Sequence, residues 1–118
     1  MATRNERIAE IEALFRAGND RMMAWPENEA RAALGETVTF LCECADRRCR
    51  KLVQLTAAQY EAVRTDPRRF LVARGHEITE AEEVVEEQDG YVVVRKHEDV
   101  ADLVRRLNLR YSPADDDP

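Results

Sequence analysis

The chain has 118 residues, of which 36% are charged and 6% aromatic, and its formal net charge is −6. This length favours one domain with a modest core, and no apolar run approaches the roughly 20 residues that a membrane-spanning helix needs. The N-terminus carries charges where a signal peptide needs an apolar segment, so we expect a cytoplasmic protein without membrane partners.

The first predicted element is an amphipathic helix over residues 4–18. Thr3 and Glu6 form a capping-box pattern at its start, and Gly18 with Asn19 is a stop signal. One apolar stripe recurs at helical spacing, formed by Ile8, Ile11, Leu14 and Phe15. This stripe either packs on the protein's own core or binds another chain.

The segment 21–36 is predicted to be an irregular connection between the N-terminal helix segment, 1–20, and the rest of the chain. Trp25-Pro26 and Gly35 interrupt its periodicity. Trp25 is the only tryptophan, and we expect it to anchor on the core. The length of the connection favours a separate role for the helix, in self-association or in binding a protein partner.

Residues 37–109 are predicted to form one small α+β domain with antiparallel sheets or hairpins. Runs rich in β-branched and aromatic residues predict strands at 37–42, 51–55, 70–73, 82–87 and 91–96. The run at 82–87 has a helix as its alternative, and the strand is preferred. The Asp89-Gly90 pair between the last two strands is a strong signal for a tight hairpin.

Two more helices are predicted in this domain. Thr56 is a candidate N-cap for a central helix over 57–64. Apolar residues at helical spacing predict a short C-terminal helix over 98–107. The segment 110–118 is rich in aspartate and proline and is predicted to be a disordered acidic tail.

Three cysteines lie within eight residues, in the pattern C-x-C-x4-C, at Cys42, Cys44 and Cys49. In a reducing compartment this odd, clustered set favours a metal over a disulfide. A structural zinc ion has four tetrahedral ligands, so a fourth must come from elsewhere. His76, beside a glycine at a predicted strand end, is the favoured candidate. The alternatives are His97, a carboxylate such as Asp46, and water. We therefore expect the α+β domain to be stabilised by Zn²⁺.

Catalytic signatures are missing from the sequence. It has no H-E-x-x-H motif, no deaminase signature, no glycine-rich phosphate loop and no G-x-S-x-G elbow. Three thiolates also make zinc a poorer Lewis acid. We therefore expect a structural site in a protein that is not an enzyme.

Charge is distributed unevenly along the chain. Residues 46–75 carry eight basic and three acidic residues, whereas residues 76–100 carry two basic and nine acidic ones. The basic residues around Cys49 suit a zinc centre with three cysteines and one histidine, because its net charge is −1. They also allow a nucleic-acid interface, formed by Arg47, Arg48, Arg50, Lys51, Arg64, Arg68 and Arg69.

The stretch FLCECADRRCRKLVQLTAAQYEAVRTDPRRFLVARGHE, followed by VVEEQDGYVVVRK, resembles a group of small, mostly uncharacterised actinobacterial proteins. Their recurring features are a C-E-C-A-D…C loop, a downstream G-H-E motif and a Y-x-V-V-x-K strand. The likeness covers roughly residues 37–96, and it departs at Arg74, where a proline is expected before Gly-His. The resemblance implies that the three cysteines and His76 belong together, and it implies no activity.

These observations favour a zinc-stabilised module that binds a protein partner or itself through the N-terminal helix. Two alternatives remain at this point. One is nucleic-acid binding through the basic residues, which an overall negative charge disfavours. The other is a redox sensor, in which oxidation of the thiolates releases zinc.

Overall fold

The computed structural model describes residues 2–108, and the predicted acidic tail lies outside them. Its helices are α1 (Arg4–Met23), α2 (Pro26–Ala33), α3 (Ala57–Arg64) and α4 (Ala101–Arg106), the last preceded by a 3₁₀ turn over Glu98–Val100. Its strands are β1 (Thr37–Leu41), β2 (Leu52–Thr56), β3 (Arg69–Ala73), β4 (Glu82–Gln88) and β5 (Tyr91–Lys96). This confirms the predicted α+β class, with an N-terminal, a central and a short C-terminal helix. Within residues 2–108, no helix combines the length and apolar character needed to cross a membrane.

The strands form two small antiparallel sheets. One contains β1 and β2, and the other has the order β3-β5-β4. Gln88 pairs with Tyr91 across the predicted Asp89-Gly90 turn, and Gly90 has the positive φ, 86°, that such a turn requires. A bulge at Val85 breaks the regular alternation expected along β4, because one extra residue is inserted into that strand.

The two sheets and α3 share one apolar core. The inner face of β1–β2 and the whole middle of β3 and β5 are buried in it: Val38, Phe40, Val53, Leu55, Phe70, Leu71, Val72, Val92, Val93 and Val94. Thr56 caps α3, as predicted, and it forms a complete capping box with Gln59. The ring of Tyr60 on α3 stacks on Phe40, with centroids 4.4 Å apart.

Helix α1 differs from its prediction in length and in the face that it buries. It continues past Gly18 to Met23. Of the predicted stripe, Ile8 is buried, but Leu14 is 65% exposed. The buried face instead includes four polar or charged side chains, Glu12, Arg16, Asn19 and Asp20. Asn19 does not stop the helix because its side chain bonds to other elements of the fold.

Each inward side chain of α1 has a specific partner. Lys96 on β5 donates to Glu12, at 2.7 Å, and to Glu82, at 2.9 Å, and all three are wholly buried. Asp20 accepts hydrogen bonds from Arg64, at 2.9 and 3.0 Å, and from the Tyr60 hydroxyl. Helix α1 is therefore held to α3, β4 and β5 by polar contacts.

Arg16 lies in the middle of this face. Its guanidinium carbon is 4.2 Å from the ring centroid of Phe70. Its nitrogens donate to the carbonyls of Pro67, at 2.5 Å, and Val104, at 3.3 Å. Burial lowers the pKa of Arg16 to about 10, which leaves it charged at neutral pH.

The connection after α1 is more ordered than predicted. Pro26 begins α2, because proline fits the first turn of a helix, and Trp25 is its N-cap residue. Trp25 is 54% exposed, so the prediction that it anchors on the core was wrong.

Candidate metal centre

The cysteines lie on the loop between β1 and β2, which we call the metal loop (residues 42–51). The N–H of Cys42 donates to the carbonyl of Lys51, at 3.1 Å, and closes the base of the loop. Asp46 shapes its tip: its carbonyl accepts from the N–H of Cys49, at 3.0 Å, and its carboxylate accepts from the N–H of Arg48, at 2.9 Å. These turns direct three thiols toward one point.

His76 arrives from the other sheet, on the connection between β3 and β4. Gly75 has φ 86°, a conformation that favours glycine, and the N–H of His76 donates to the carbonyl of Ala73, at 3.0 Å. The carboxylate of Glu77 accepts from the N–H of Gly75, at 2.9 Å. This tight turn brings the imidazole next to the metal loop.

The four side chains form a group that is suited to one metal ion. His76 Nδ1 lies 3.4 Å from Cys49 Sγ and 3.6 Å from Cys42 Sγ. All four donor atoms, including Cys44 Sγ, lie within 4.8 Å of one another. Tetrahedral zinc sets S···N separations of about 3.5–3.6 Å and S···S separations of about 3.8 Å. The nitrogen is already near that distance from Cys42 Sγ and Cys49 Sγ, and no sulfur pair has to close by more than about 1 Å.

Burial of the site favours neutral thiols when no metal is bound. Cys42 and Cys44 are buried and Cys49 is half-buried. Burial raises the pKa of the Cys42 and Cys44 thiols, although the N–H of Ala73 donates to Cys42 Sγ, at 3.1 Å, and acts in the opposite direction. Metal binding at this site therefore has to displace protons.

Glu43, between the first two cysteines, points away from the sulfurs and into the core. Its two carboxylate oxygens accept from the N–H of Leu71, at 3.0 Å, and from the side chain of Asn19, at 2.8 Å. Burial raises the pKa of Glu43 to about 7, against the effect of these two hydrogen bonds. Its position is a feature that the sequence analysis missed. The alternation in Cys-Glu-Cys was the only signal for it, because neighbouring side chains in an extended segment point in opposite directions.

The alternative fourth ligands lie outside the group. Among residues 2–108, the cluster around the metal loop contains the three cysteines and His76, without His97 or Asp46. The Asp46 carboxylate caps the loop as described above. His97 precedes the 3₁₀ turn, where its N–H donates to the carbonyl of Ala81, at 3.2 Å.

Of the basic residues that were predicted to form a nucleic-acid interface, some are paired within the fold and others are exposed. Arg64 is bound to Asp20 in the core, and Arg68 donates to the carbonyl of Lys96 and pairs with Glu98, at 3.1 Å. In contrast, four basic residues of the metal loop are exposed, namely Arg47, Arg48, Arg50 and Lys51. A continuous basic face of seven residues is therefore not available to a nucleic acid.

A cleft of about 570 Å³ opens beside the metal loop and gives solvent a route to the site. Cys44 and His76 line it, together with Arg4 and Ile8 from the first turns of α1. A metal site needs such a route if the ion is to enter the folded chain.

Comparison with known proteins adds no relative from which to transfer a role. No family model, curated protein or solved structure matches this chain. The resemblance to the actinobacterial family stays a prediction, and the function has to be argued from the geometry of the site.

Proposed function

We propose that the protein binds one Zn²⁺ through Cys42, Cys44, Cys49 and His76, as a structural site in a protein that is not an enzyme. The observation that carries the proposal is the meeting of four donor atoms from two separate loops within 4.8 Å of one another. Thiolate and imidazole donors are the set that zinc prefers in structural sites.

The chemistry of the ligands supports a structural rather than a catalytic role. Four protein ligands complete the tetrahedron and leave no position for an activated water. Glu43, the buried carboxylate nearest in sequence, has both oxygens engaged by Asn19 and Leu71. It is therefore not free to act as a general base at the metal.

Zinc bound here would join the two sheets. The cysteines follow β1, in the two-stranded sheet, whereas His76 follows β3, in the three-stranded sheet. A chain of this size has a thin core, and a cross-link between its two halves contributes directly to folding free energy.

The test compares the two histidines of the chain. Wild type, His76→Ala and His97→Ala are reconstituted with Zn²⁺ under reducing conditions, and metal content and thermal stability are measured. We expect one zinc per chain in wild type and in His97→Ala. His76→Ala should bind zinc at least about tenfold more weakly, because one of the four ligands is missing.

X-ray absorption at the zinc edge gives an independent reading of the ligand set. We expect three sulfurs at about 2.3 Å and one nitrogen at about 2.0–2.1 Å. Zinc affinity should rise with pH, since each displaced thiol proton becomes easier to lose. A wild-type chain that binds no zinc, or a His76→Ala chain that binds it as tightly as His97→Ala, would contradict the proposal.

We further propose that the zinc-stabilised fold is an interaction module that self-associates through the outer face of α1. The support is an apolar hollow of about 230 Å³, lined by Ala13, Leu14, Ala17 and Leu107 together with Glu10. Small residues four apart on a helix allow another helix to approach closely around the exposed Leu14.

Light scattering tests this interaction role. We expect a dimer for wild type and for Leu34→Glu, a control at the exposed end of α2, and a monomer for Leu14→Glu. A wild-type monomer at high protein concentration would exclude self-association, without affecting the proposal for the metal.

A further inference from the structure

The side chain of Asn19 connects α1 to the metal loop. It is wholly buried. Its amide nitrogen donates to the carbonyl of Leu41, at 2.9 Å, and to the Glu43 carboxylate, at 2.8 Å. Its amide oxygen accepts from the N–H of Leu41, at 2.8 Å. One side chain of the helix thus binds both the residue before Cys42 and the residue after it.

Leu41, which Asn19 binds, also contributes to the surroundings of Trp25. The side chain of Leu41 lines an apolar cleft of about 610 Å³, between the end of α1 and the start of α2, with Met22, Trp25 and Pro26. The backbone of Leu41 is fixed by Asn19, and its side chain forms part of the wall beside Trp25. A shift of the metal loop that moves Leu41 therefore changes the environment of the only tryptophan.

We propose that metal binding is coupled through Asn19 to the docking of the last turns of α1, so that the metal site controls the shape of the Trp25 cleft. This inference rests on the proposed zinc site. Without the ion, residues 42–49 lose the cross-link to His76 and keep their hydrogen bonds and the core packing of Cys42 and Cys44. Glu43 and Leu41 then gain freedom within their remaining contacts with Leu71 and Leu52, and the hydrogen bonds of the Asn19 amide weaken.

The expected response is local, because other anchors of α1 do not involve the metal loop. Asp20 binds Arg64 on α3, and Glu12 binds Lys96 on β5. These contacts keep the helix attached when the contact at Asn19 weakens. We therefore expect loosening confined to the segment from Asn19 to Trp25.

The coupling is reciprocal, which makes it measurable from either end. If metal binding stabilises the contact between Asn19 and Glu43, then a chain without that contact binds the metal more weakly by the same factor. Couplings of this kind typically amount to about 5- to 150-fold in affinity.

The first measurement uses the wild-type chain. Zn²⁺ is titrated into reduced, metal-free protein while Trp25 fluorescence and amide hydrogen exchange are followed. We expect a saturable change in Trp25 emission with the stoichiometry of zinc binding. Exchange in the segment from Asn19 to Trp25 should be faster in the metal-free chain, whereas exchange in β3 and β5 should change little.

The second measurement compares two asparagines in the same region. Asn19→Ala removes the contact with the metal loop. Asn28→Ala is the control, because the Asn28 side chain donates to the carbonyl of Met22, at 2.7 Å, and binds the end of α1 without touching the loop. We expect zinc affinity to fall by at least about fivefold in Asn19→Ala and to stay at the wild-type value in Asn28→Ala.

Several results would overturn the inference. One is wild-type zinc affinity in Asn19→Ala; another is Trp25 emission that does not respond to zinc. Loss of protection throughout the metal-free chain would show global unfolding instead of local coupling. If Asn19→Ala does not fold, the wild-type exchange measurement decides alone. A wild-type chain that binds no zinc contradicts the proposed metal site itself. A chain that binds zinc without a change in Trp25 emission contradicts only the coupling.

Discussion

Along the middle of β3 and β5 the buried side chains are all apolar, whereas α1 buries a row of polar and charged ones. An apolar contact tolerates substitutions that conserve volume, and its contribution to stability falls roughly in proportion to the apolar area that is uncovered. A buried polar contact is different, because removing one partner leaves the other desolvated and unpaired. The sheet is therefore held mainly by apolar burial, whereas the helix is also held by specific polar contacts with α3, α4, β1 and β5.

The largest expected effect comes from Lys96. Lys96→Met leaves the carboxyls of Glu12 and Glu82 buried without their cation, and we expect it to lower the free energy of unfolding by about 3–5 kcal/mol. Urea denaturation measures this. The control is Arg95→Met, on the adjacent residue of β5, which pairs with Glu83 at the surface. That change should cost about 0–1 kcal/mol.

Equal effects of the two substitutions would remove the distinction between the buried and the surface pair. A second reference comes from the apolar sheet. Leu71→Ala should cost about 2–5 kcal/mol through cavity formation, so the loss of a buried charge can be compared with the loss of a buried apolar side chain.

A smaller effect is expected at Arg16. Arg16→Met keeps the aliphatic part of the side chain, but it removes the guanidinium that lies over Phe70 and leaves the carbonyls of Pro67 and Val104 without their donor. We expect a loss of about 1–3 kcal/mol. Thermal unfolding measures it, and a variant as stable as wild type would show that the helix is held here by packing alone.

The smallest effect is expected from Glu12→Gln and concerns the pH dependence of stability. Burial, followed by repulsion from Glu82, raises the pKa of Glu12 well above its ordinary value, and Lys96 offsets this only in part. Because the pKa of Glu12 is raised in the folded state, the stability that protonated Glu12 contributes is fully present below the ordinary pKa of a glutamate. That contribution is lost as pH rises through the pKa of Glu12 in the folded protein. The glutamine side chain stays neutral, so we expect the Glu12→Gln variant to gain in stability relative to wild type as pH increases from 5 to 8.

The control for this measurement is Glu83→Gln, on the exposed side of the same hairpin. A hydrogen bond from Arg95 lowers the pKa of Glu83. The contribution of Glu83 to stability is therefore present above the ordinary pKa of a glutamate and constant between pH 5 and 8. If the stabilities of wild type and Glu12→Gln change with pH in parallel, the pKa of Glu12 is not raised by its buried environment.

The sheet region and the polar face of α1 also differ in how far the sequence predicts them. Local signals such as the capping box of Thr3 and Glu6, the N-cap at Thr56 and the Asp89-Gly90 turn were confirmed, because each depends on residues a few positions apart. The four candidate ligands were also predicted, since three of them are close in sequence. The polar face of α1 was not. Glu12 and Lys96 are 84 residues apart, and each looks like an ordinary surface charge until the fold pairs them.

The contact between Asn19 and Leu41 has a further consequence for how the chain meets other chains. The N–H and carbonyl of Leu41 lie on the outer edge of β1, the side that does not pair with β2, and Asn19 occupies both. Unpaired groups on a strand edge are a template for pairing with a neighbouring molecule and for aggregation. The side chain that holds the helix in place therefore also withholds this end of the edge from intermolecular β-pairing.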